Sequence, residues 1–201
     1  NHDFGRFAYY VRKAQPQATD EEVLKRVTLA YAMVLTLRGV PVIYYGDEQG
    51  FPSTGGDQAA REDMFPSQVA SYNAEHLLGT NATTAQSNFN TAHPLYKTIA
   101  ELSRIRRNNP ALRRGVQMVR NDAPKPGLFA VSRLDPQTGA ETVIAFNTST
   151  KPISVQVEID PNTKHFASLH GHCEAAPTVP GSYHVQLEGL DYVICEAGAP
   201  H

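Results

Sequence analysis

The spacing of apolar residues changes along the chain, and each change predicts a different kind of element. After Thr19, apolar residues recur every three or four positions as far as Leu37, which predicts an amphipathic helix. Thr19 and Glu22 have the spacing of a capping box at its start, and Gly39 favours its end. Residues 40–45 are then almost all apolar, which predicts a short strand covered on both faces, as in a parallel sheet.

Residues 46–93 are rich in Gly, Ser, Thr, Asn and Gln and show little periodicity. A loop of this length within a domain tends to be functional. The next predicted helix begins at Pro94 and stops at the run 108–110, because proline is favoured at the first helical position and disfavours helical continuation. Its core face consists of Leu95, Ile99, Leu102 and Ile105.

After Gly115 the period falls to two, the period of strands. Predicted strands lie at 116–121, 127–132, 141–147, 153–159, 165–169, 183–187 and 191–196. Short strands at this spacing predict an antiparallel β-sandwich. We therefore predict two domains, an α/β domain over residues 1–114 and an all-β domain over residues 115–201.

Composition narrows the classes of partner. The chain has 201 residues and a formal net charge of −2, which implies neither a nucleic-acid nor a membrane partner. No apolar run approaches the ~20 residues that a membrane span needs. One basic cluster is interpreted as a solvated helix end, with a phosphate-binding patch as the less favoured alternative. The cluster consists of Arg104, Arg106, Arg107, Arg113 and Arg114.

The two cysteines, Cys173 and Cys195, leave two alternatives open. They are either reduced and buried as small apolar groups or joined in a disulfide, which would indicate an exported protein. His170 and His172 lie near Cys173, but this spacing fits no zinc pattern, so no metal site is predicted. Glycosylation sequons begin at Asn81 and Asn147, and they matter only in a secretory pathway that glycosylates.

Four stretches of the chain resemble one family of enzymes. Asn1-His2-Asp3 resembles the last catalytic motif of the α-amylase family of retaining glycoside hydrolases. Residues 36–50, TLRGVPVIYYGDEQG, resemble that family's eighth barrel strand and following loop, and residues 56–61 resemble its Gly-Asp-x-x-x-Arg segment. Residues 102–112 resemble the end of its eighth helix. The implied fold is the last strands and helices of a TIM (β/α)8 barrel, followed by the family's C-terminal β-sandwich.

The resemblance implies roles for five residues. Asp3 would be the third catalytic carboxylate, which binds the hydroxyls of the sugar being cleaved, and His2 would hydrogen-bond the same sugar. Asn1 belongs to the same motif and is assigned to substrate binding. Asp57 and Arg61 would lie further along the donor side of the cleft. An alternative for these two residues is a mutual ion pair that orders the loop.

Other acidic residues near these motifs receive structural interpretations. Asp47 and Glu48 are interpreted as fixing the loop rather than as a catalytic pair, because adjacent strand residues point to opposite faces. Glu62 and Asp63 are assigned no role. Asp57 and Arg61 are therefore the charged residues of this loop that enter the predicted site.

The resemblance also implies an incomplete active site. The nucleophile and the general acid come from the family's fourth and fifth barrel strands, whereas this chain begins at the seventh, so we expect it to be inactive alone. Its expected partners are an α-1,4-glucan or oligosaccharide and the missing N-terminal barrel segment. No cofactor is expected within this chain, because the family's calcium sites mostly involve an earlier excursion of the barrel, and a calcium requirement of a longer protein stays open. The alternative functions are a starch-binding or structural module without catalysis.

Overall fold

The computed structural model describes residues 3–198, so the assignments of Asn1 and His2 lie outside the described residues. The chain divides into two compact units. The first consists of Asn1–Tyr31 and Pro41–Glu101, and the second of Ala32–Val40 and Leu102–His201. The predicted boundary between residues 114 and 115 stays a prediction. In the described part of the chain, no helix is long and apolar enough to cross a membrane.

Four α-helices are described: α1 (Phe7–Ala14), α2 (Asp20–Thr36), α3 (Pro94–Asn108) and α4 (Pro110–Arg114). The predicted cap of α2 is confirmed, because the Glu22 amide donates to Thr19 Oγ1 at 3.2 Å. The predicted start and end of α3 are also confirmed. The helix α4 was not predicted, and its N-cap is Asn109, whose Oδ1 accepts from the Leu112 amide at 2.9 Å.

The first unit has an apolar core formed mainly by helices. Side chains of α1, α2 and α3 pack with residues of the loops between these helices. The helical spacing of the apolar residues places them on one face of each helix. The buried members are Ala8, Val11, Val23, Val27, Tyr31, Leu78 and Leu95.

The strand expected at residues 40–45 is not formed. These residues have no ladder partner among the described residues, and Val40 and Val42 are 89% and 74% exposed. The expectation was wrong for this element because a strand is stabilised by neighbouring strands, which the described part of the first unit does not provide.

The predicted long loop, residues 46–93, is confirmed as mostly irregular. It contains three short 3-10 helices, at Asp47–Gln49, Asp57–Ala60 and Ala70–Asn73. His93 lies at the end of this loop, where its Nδ1 accepts from the Leu95 amide at 3.1 Å and its Nε2 donates to the Leu78 carbonyl at 3.0 Å. Burial lowers the pKa of His93, so this contact is made by a neutral ring.

The second unit contains the predicted strands in the predicted order. Their bounds are β1 (Val116–Asn121), β2 (Leu128–Leu134), β3 (Glu141–Asn147), β4 (Ile153–Glu158), β5 (Phe166–His170), β6 (Ser182–Leu187) and β7 (Tyr192–Ala197). They form a five-stranded sheet in the order β1-β2-β3-β7-β5 and a two-stranded sheet of β4 and β6. All pairings are antiparallel, which confirms the predicted topology.

The core of this sandwich lies between its two sheets. Buried residues of β2, β3 and β7 pack with Val157, Tyr183, Val185 and Leu187 of the smaller sheet. Cys173 and Cys195 belong to the same cluster and form a disulfide, which decides between the two alternatives that the sequence left open. At the end of β3, the fully buried Asn147 amide donates to the carbonyls of Lys151 and Glu188 at 2.7 and 2.8 Å.

Two buried arginines bind the carboxyl-terminal turn of α2, within the second unit. Arg106 donates to the carbonyl oxygens of Leu35 and Gly39 at 3.0 and 2.7 Å, and Arg133 donates to that of Thr36 at 2.7 Å. Cations suit this end of a helix because its last carbonyls have no intrahelical partner. The interpretation of the basic cluster as a solvated helix end is therefore wrong for Arg106, which is only 9% exposed.

Candidate functional site

Two backbone segments of the first unit approach each other closely at the predicted site. Gly5 has φ +91°, and a Cβ at this position would lie 2.8 Å from Gly56 Cα and 2.9 Å from the Gly55 carbonyl oxygen. The Tyr10 hydroxyl donates to the carbonyl of Phe4 and holds the same segment. This approach, which glycine permits at both positions, brings the residues that follow Asp3 against the residues that precede Asp57.

The predicted sugar-binding residues of the loop pair with each other. Arg61 Nη2 donates to Asp57 Oδ1 at 2.8 Å across one turn of the short 3-10 helix, and both side chains are at least half exposed. The ion pair named as the alternative for these two residues is thus present in the structure. Asp3 is also exposed. Three of the five predicted site residues thus lie on two segments that contact each other, and the other two lie outside the described residues.

Arg6 is the buried residue that ties these segments together, and the sequence analysis missed it. Its guanidinium donates to Glu62 Oε2 at 2.7 Å, to Asp47 Oδ1 at 2.8 Å and to the Tyr45 carbonyl at 2.8 Å. Burial disfavours its charge, but the two carboxylates outweigh this effect and raise the pKa of Arg6. One side chain therefore connects the segment after Asp3 with two parts of the long loop.

Asp47 has the loop-fixing role that the sequence predicted for it. It accepts from Arg6 and is hydrogen-bonded by the Tyr31 hydroxyl, and burial followed by this contact raises the pKa of Tyr31. The preceding residue, Gly46, has φ +83°, and a Cβ there would lie 3.2 Å from Arg6 Nη2. A larger residue at this position would crowd the Phe51 ring as well as the guanidinium, and the positive φ also favours glycine.

Glu62 and Glu75 form a second, unpredicted part of this buried cluster. They are 1% and 8% exposed, and the backbone amide of Glu75 donates to Thr84 Oγ1 at 3.1 Å. Burial, together with the nearby Glu62 carboxyl group, raises the pKa of Glu75 to about 8. Glu62 had been assigned no role, whereas the structure makes it the main partner of Arg6.

Sequence spacing gives no local signal for this cluster. Arg6 and Glu62 are 56 positions apart, and Glu62 directly follows the exposed Arg61. The one available signal is chemical, because charged residues are rarely buried unless they are paired. Arg6, which directly precedes α1 and follows the predicted sugar-binding motif, could have been matched with the acids of the long loop on that ground.

No metal centre is apparent in the part of the chain that the structure describes, since no group of three or more His, Cys, Asp or Glu side chains could hold an ion there. His170 stacks on the Tyr192 ring with their centroids 4.2 Å apart, and Cys173 is in the disulfide. His170 and Cys173 therefore make structural contacts, although their residue types also occur in zinc sites.

The family of the chain follows from its similarity to known proteins. The family model described as "Alpha amylase, catalytic domain" matches residues 1–115. The chain belongs to the α-amylase family. An α-amylase of Streptomyces lividans is 46% identical over 209 residues, which cover 100% of this chain and 23% of that protein. A cyclomaltodextrin glucanotransferase of Geobacillus stearothermophilus is 35% identical over 115 residues, 57% of this chain and 12% of that protein.

Solved structures of α-amylase family members share the fold. An Anoxybacillus α-amylase superposes with a TM-score of 0.71 at 22% identity and covers 100% of this chain and 37% of its own. An α-amylase from Geobacillus thermoleovorans, solved in complex with acarbose, has a TM-score of 0.71 at 19% identity and covers 98% of this chain and 37% of its own. The fold is thus the end of a catalytic barrel followed by a β-rich domain.

The relatives of this α-amylase family chain are enzymes. The curated relatives are named as α-amylases and cyclomaltodextrin glucanotransferases, so the family is enzymatic. The chain spans about a quarter of the length of the Streptomyces lividans protein. The matched residues 1–115 include Asp3, Arg6, Asp57 and Arg61.

Proposed function

We propose that this chain supplies one wall of the sugar-cleaving cleft of an α-amylase-type glycosidase or glucanotransferase that acts on α-1,4-glucans by a retaining mechanism. The observation that carries the proposal is the contact of the Phe4–Gly5 backbone with Gly55 and Gly56. It brings the segment after Asp3 and the loop with Asp57 and Arg61 together within a chain of this family.

The proposed roles follow from the chemistry of glycoside cleavage. The reaction passes through an oxocarbenium-like state, and hydrogen bonds to the ring hydroxyls strengthen as that state forms. Asp3, with His2 and Asn1 beside it, accepts such hydrogen bonds from the sugar that is cleaved. Asp57 and Arg61 are exposed enough to exchange their mutual contact for sugar hydroxyls further along the donor side.

We propose that the chain is inactive alone and works with an N-terminal barrel segment that carries the nucleophile and the general acid. Exposed apolar side chains of the first unit support such a partner. Phe4 is 72% exposed and Val42 is 74% exposed, and Phe7 and Tyr45 are also exposed. Apolar surface of this kind marks a binding site for another part of a protein.

Reconstitution tests this function directly. The 201-residue chain would be mixed with the part of the Streptomyces lividans relative that precedes the matched stretch, and the release of reducing sugar from starch would be measured. We expect activity from the mixture and none from either polypeptide alone. The matched control is Asp3→Asn, which keeps the size of the side chain and removes its charge, and we expect this variant to bind the partner without restoring activity.

The result that contradicts the proposal is specific. If the two polypeptides form a folded complex, shown by their co-elution and a joint unfolding transition, and starch is still not cleaved, then the cleft is not formed as proposed. If Asp3→Asn restores the same activity as the unchanged chain, the role of Asp3 is wrong although the family assignment stands.

A starch-binding role for the β-sandwich alone is not supported by its aromatic residues. Sugar-binding surfaces present flat rings to the solvent. In the sandwich, Tyr183, Tyr192 and Phe166 are 0%, 4% and 7% exposed, so these rings belong to its interior. The chain also contains no Trp.

We also propose that the protein is exported. The disulfide between Cys173 and Cys195 supports this, because such bonds persist mainly in oxidising compartments. Thiol labelling of the protein from its native source, before and after reduction, tests the proposal. Two reactive thiols before reduction would contradict it.

A further inference from the structure

Three polar atoms of the buried cluster have no hydrogen-bond partner. They are Arg6 Nη2, Glu62 Oε1 and Glu75 Oε2. Buried polar atoms are normally paired, and an ionised carboxylate can only accept. Two carboxyl oxygens that are both buried and both without a donor therefore indicate that one of the two carboxyl groups is protonated.

The charges of the cluster lead to the same conclusion. The cation Arg6 donates to the carboxyl groups of Asp47 and Glu62, and Glu75 interacts with Glu62. With every acid ionised, this buried cluster would carry two excess negative charges, and burial makes such charges costly. One bound proton would halve the excess and supply the missing donor.

We propose that Glu62 and Glu75 share one proton, and that this carboxyl–carboxylate pair fastens the loop carrying Asp57 and Arg61 to the segment that follows Asp3. Glu62 lies next to Arg61 in the sequence and is bound to Arg6, three residues after Asp3. Glu75 interacts with Glu62 through its side chain, and its amide donates to Thr84 Oγ1. The pair thus consists of positioning residues that act through Arg6.

Glu75 is the member that carries the proton. Its neighbours are Glu62, Arg6 and Thr54, and beyond Arg6 lie Asp47 and Tyr31. Burial first, and then the hydrogen bond and charge of Glu62, raise the pKa of Glu75 from 4.5 to about 8. Because the folded pKa lies above the unfolded one, the stabilising contribution is complete below pH about 4.5, declines as the pH rises, and is lost above about 8.

The experiment compares the unfolding of the full 201-residue chain with that of Glu75→Gln between pH 5 and pH 8. Glutamine keeps the shape and can donate permanently to Glu62, but it does not titrate. Folding of the unchanged chain takes up one proton in this range, so its unfolding equilibrium constant rises about tenfold per pH unit relative to that of the variant. The control is Glu21→Gln, the same change at an exposed carboxylate of α2, which we expect to run parallel to the unchanged chain.

A second measurement does not depend on any variant being folded. The carboxyl ¹³C signals of the unchanged chain, labelled in glutamate, would be followed with pH, and we expect one of them to titrate near 8 in place of 4.5. Amide exchange of residues 54–62 should lose protection over the same pH range, whereas that of β3 should not.

Three outcomes would overturn the proposal. The first is that every glutamate titrates near its ordinary value, and the second is that the unchanged chain and Glu75→Gln show the same dependence on pH. The third is that a chelator destabilises the unchanged chain and not the variant, which would mean that a cation rather than a proton joins the carboxyl groups. The consequence for sugar binding rests on the proposed function, but none of these measurements uses a sugar, so their failure leaves that function untouched.

Discussion

The two units of this chain are organised by different interactions. In the first unit, charged side chains around Arg6 hold the long loop of residues 46–93, and this loop is mostly irregular. In the second unit, two antiparallel sheets enclose an apolar core that contains a disulfide. The predicted sugar-binding residues that the structure describes, Asp3, Asp57 and Arg61, belong to the first unit.

This difference shows why an irregular region with a candidate binding site depends on polar side-chain contacts. An irregular loop cannot satisfy its backbone with a ladder, so its position depends on specific contacts of side chains. Buried ion pairs provide direction but contribute little net stability, whereas apolar packing provides stability without a preferred direction. The position of the loop with the candidate site therefore depends on a few residues, whereas the stability of the sandwich depends on many.

The largest effect should come from Arg6→Met, which tests whether the first unit depends on one residue. It removes the cation from the buried carboxylate of Glu62 and the partly buried carboxylate of Asp47, and removing one partner of a buried pair costs about 3–5 kcal/mol. The free energy of unfolding from denaturant titration measures the loss. Arg12→Met is the matched control, because its ion pair with Asp20 is exposed and contributes at most about 1 kcal/mol. Equal losses in the two variants would contradict the comparison.

The next largest effect should come from the disulfide of the sandwich. In a Cys173→Ala, Cys195→Ala double variant, the unfolded chain gains the freedom of a loop of 22 residues, and the expected loss is about 3 kcal/mol. Denaturant titration with and without a reducing agent measures it, and reduction should destabilise the unchanged chain but not the variant. Amide protection lost around Arg6 rather than in β7 would show that the two units are not organised separately.

A smaller effect is expected from Asn109→Ala. The side chain of Asn109 caps α4 through the Leu112 amide and donates to Glu196 Oε1 at 2.7 Å. Loss of an N-cap costs about 1 kcal/mol. Asn109→Asp is the control that keeps the cap, and because its carboxylate would meet that of Glu196, any loss in this variant should diminish as the pH falls. Identical losses at every pH would argue against the contact with Glu196.

The smallest effect on stability is expected from Asp57→Asn. The ion pair of Asp57 with Arg61 is exposed, and such pairs contribute at most about 1 kcal/mol. In the reconstituted enzyme, however, we expect the affinity for longer maltooligosaccharides to fall while the shortest substrates are affected less. Glu21→Gln is again the matched change at an exposed acid. A large loss of stability without any effect on sugar binding would assign the pair to the fold alone.

Much of the fold could be predicted from the sequence where the signal is local. Alternation along residues 153–159 and 183–187 predicted β4 and β6, and Thr19 and Pro94 marked the starts of α2 and α3. The strand expected at residues 40–45 was wrong, because the apolar run is necessary for a buried strand but the neighbouring strands are not part of that signal.

The candidate site was predictable only in its exposed part. Asp3, Asp57 and Arg61 stand in short motifs that resemble a family, and the model of that family matches residues 1–115. Arg6 and Glu62 meet across 56 positions, and a contact of that kind depends on the folded chain rather than on any local pattern. The roles of the exposed residues stay predictions until the reconstituted enzyme is measured.

The buried amide at the end of β3 has a practical consequence for making this protein in a eukaryotic host. Asn147 and Asn81 both begin a sequon, but Asn147 is fully buried with its amide committed to two carbonyl groups, whereas Asn81 is exposed. An oligosaccharide can be attached to Asn147 only before the sandwich closes around it. Sugar found at that position would thus mark molecules that were modified while still unfolded, and its abundance would report how fast the strands assemble in the cell.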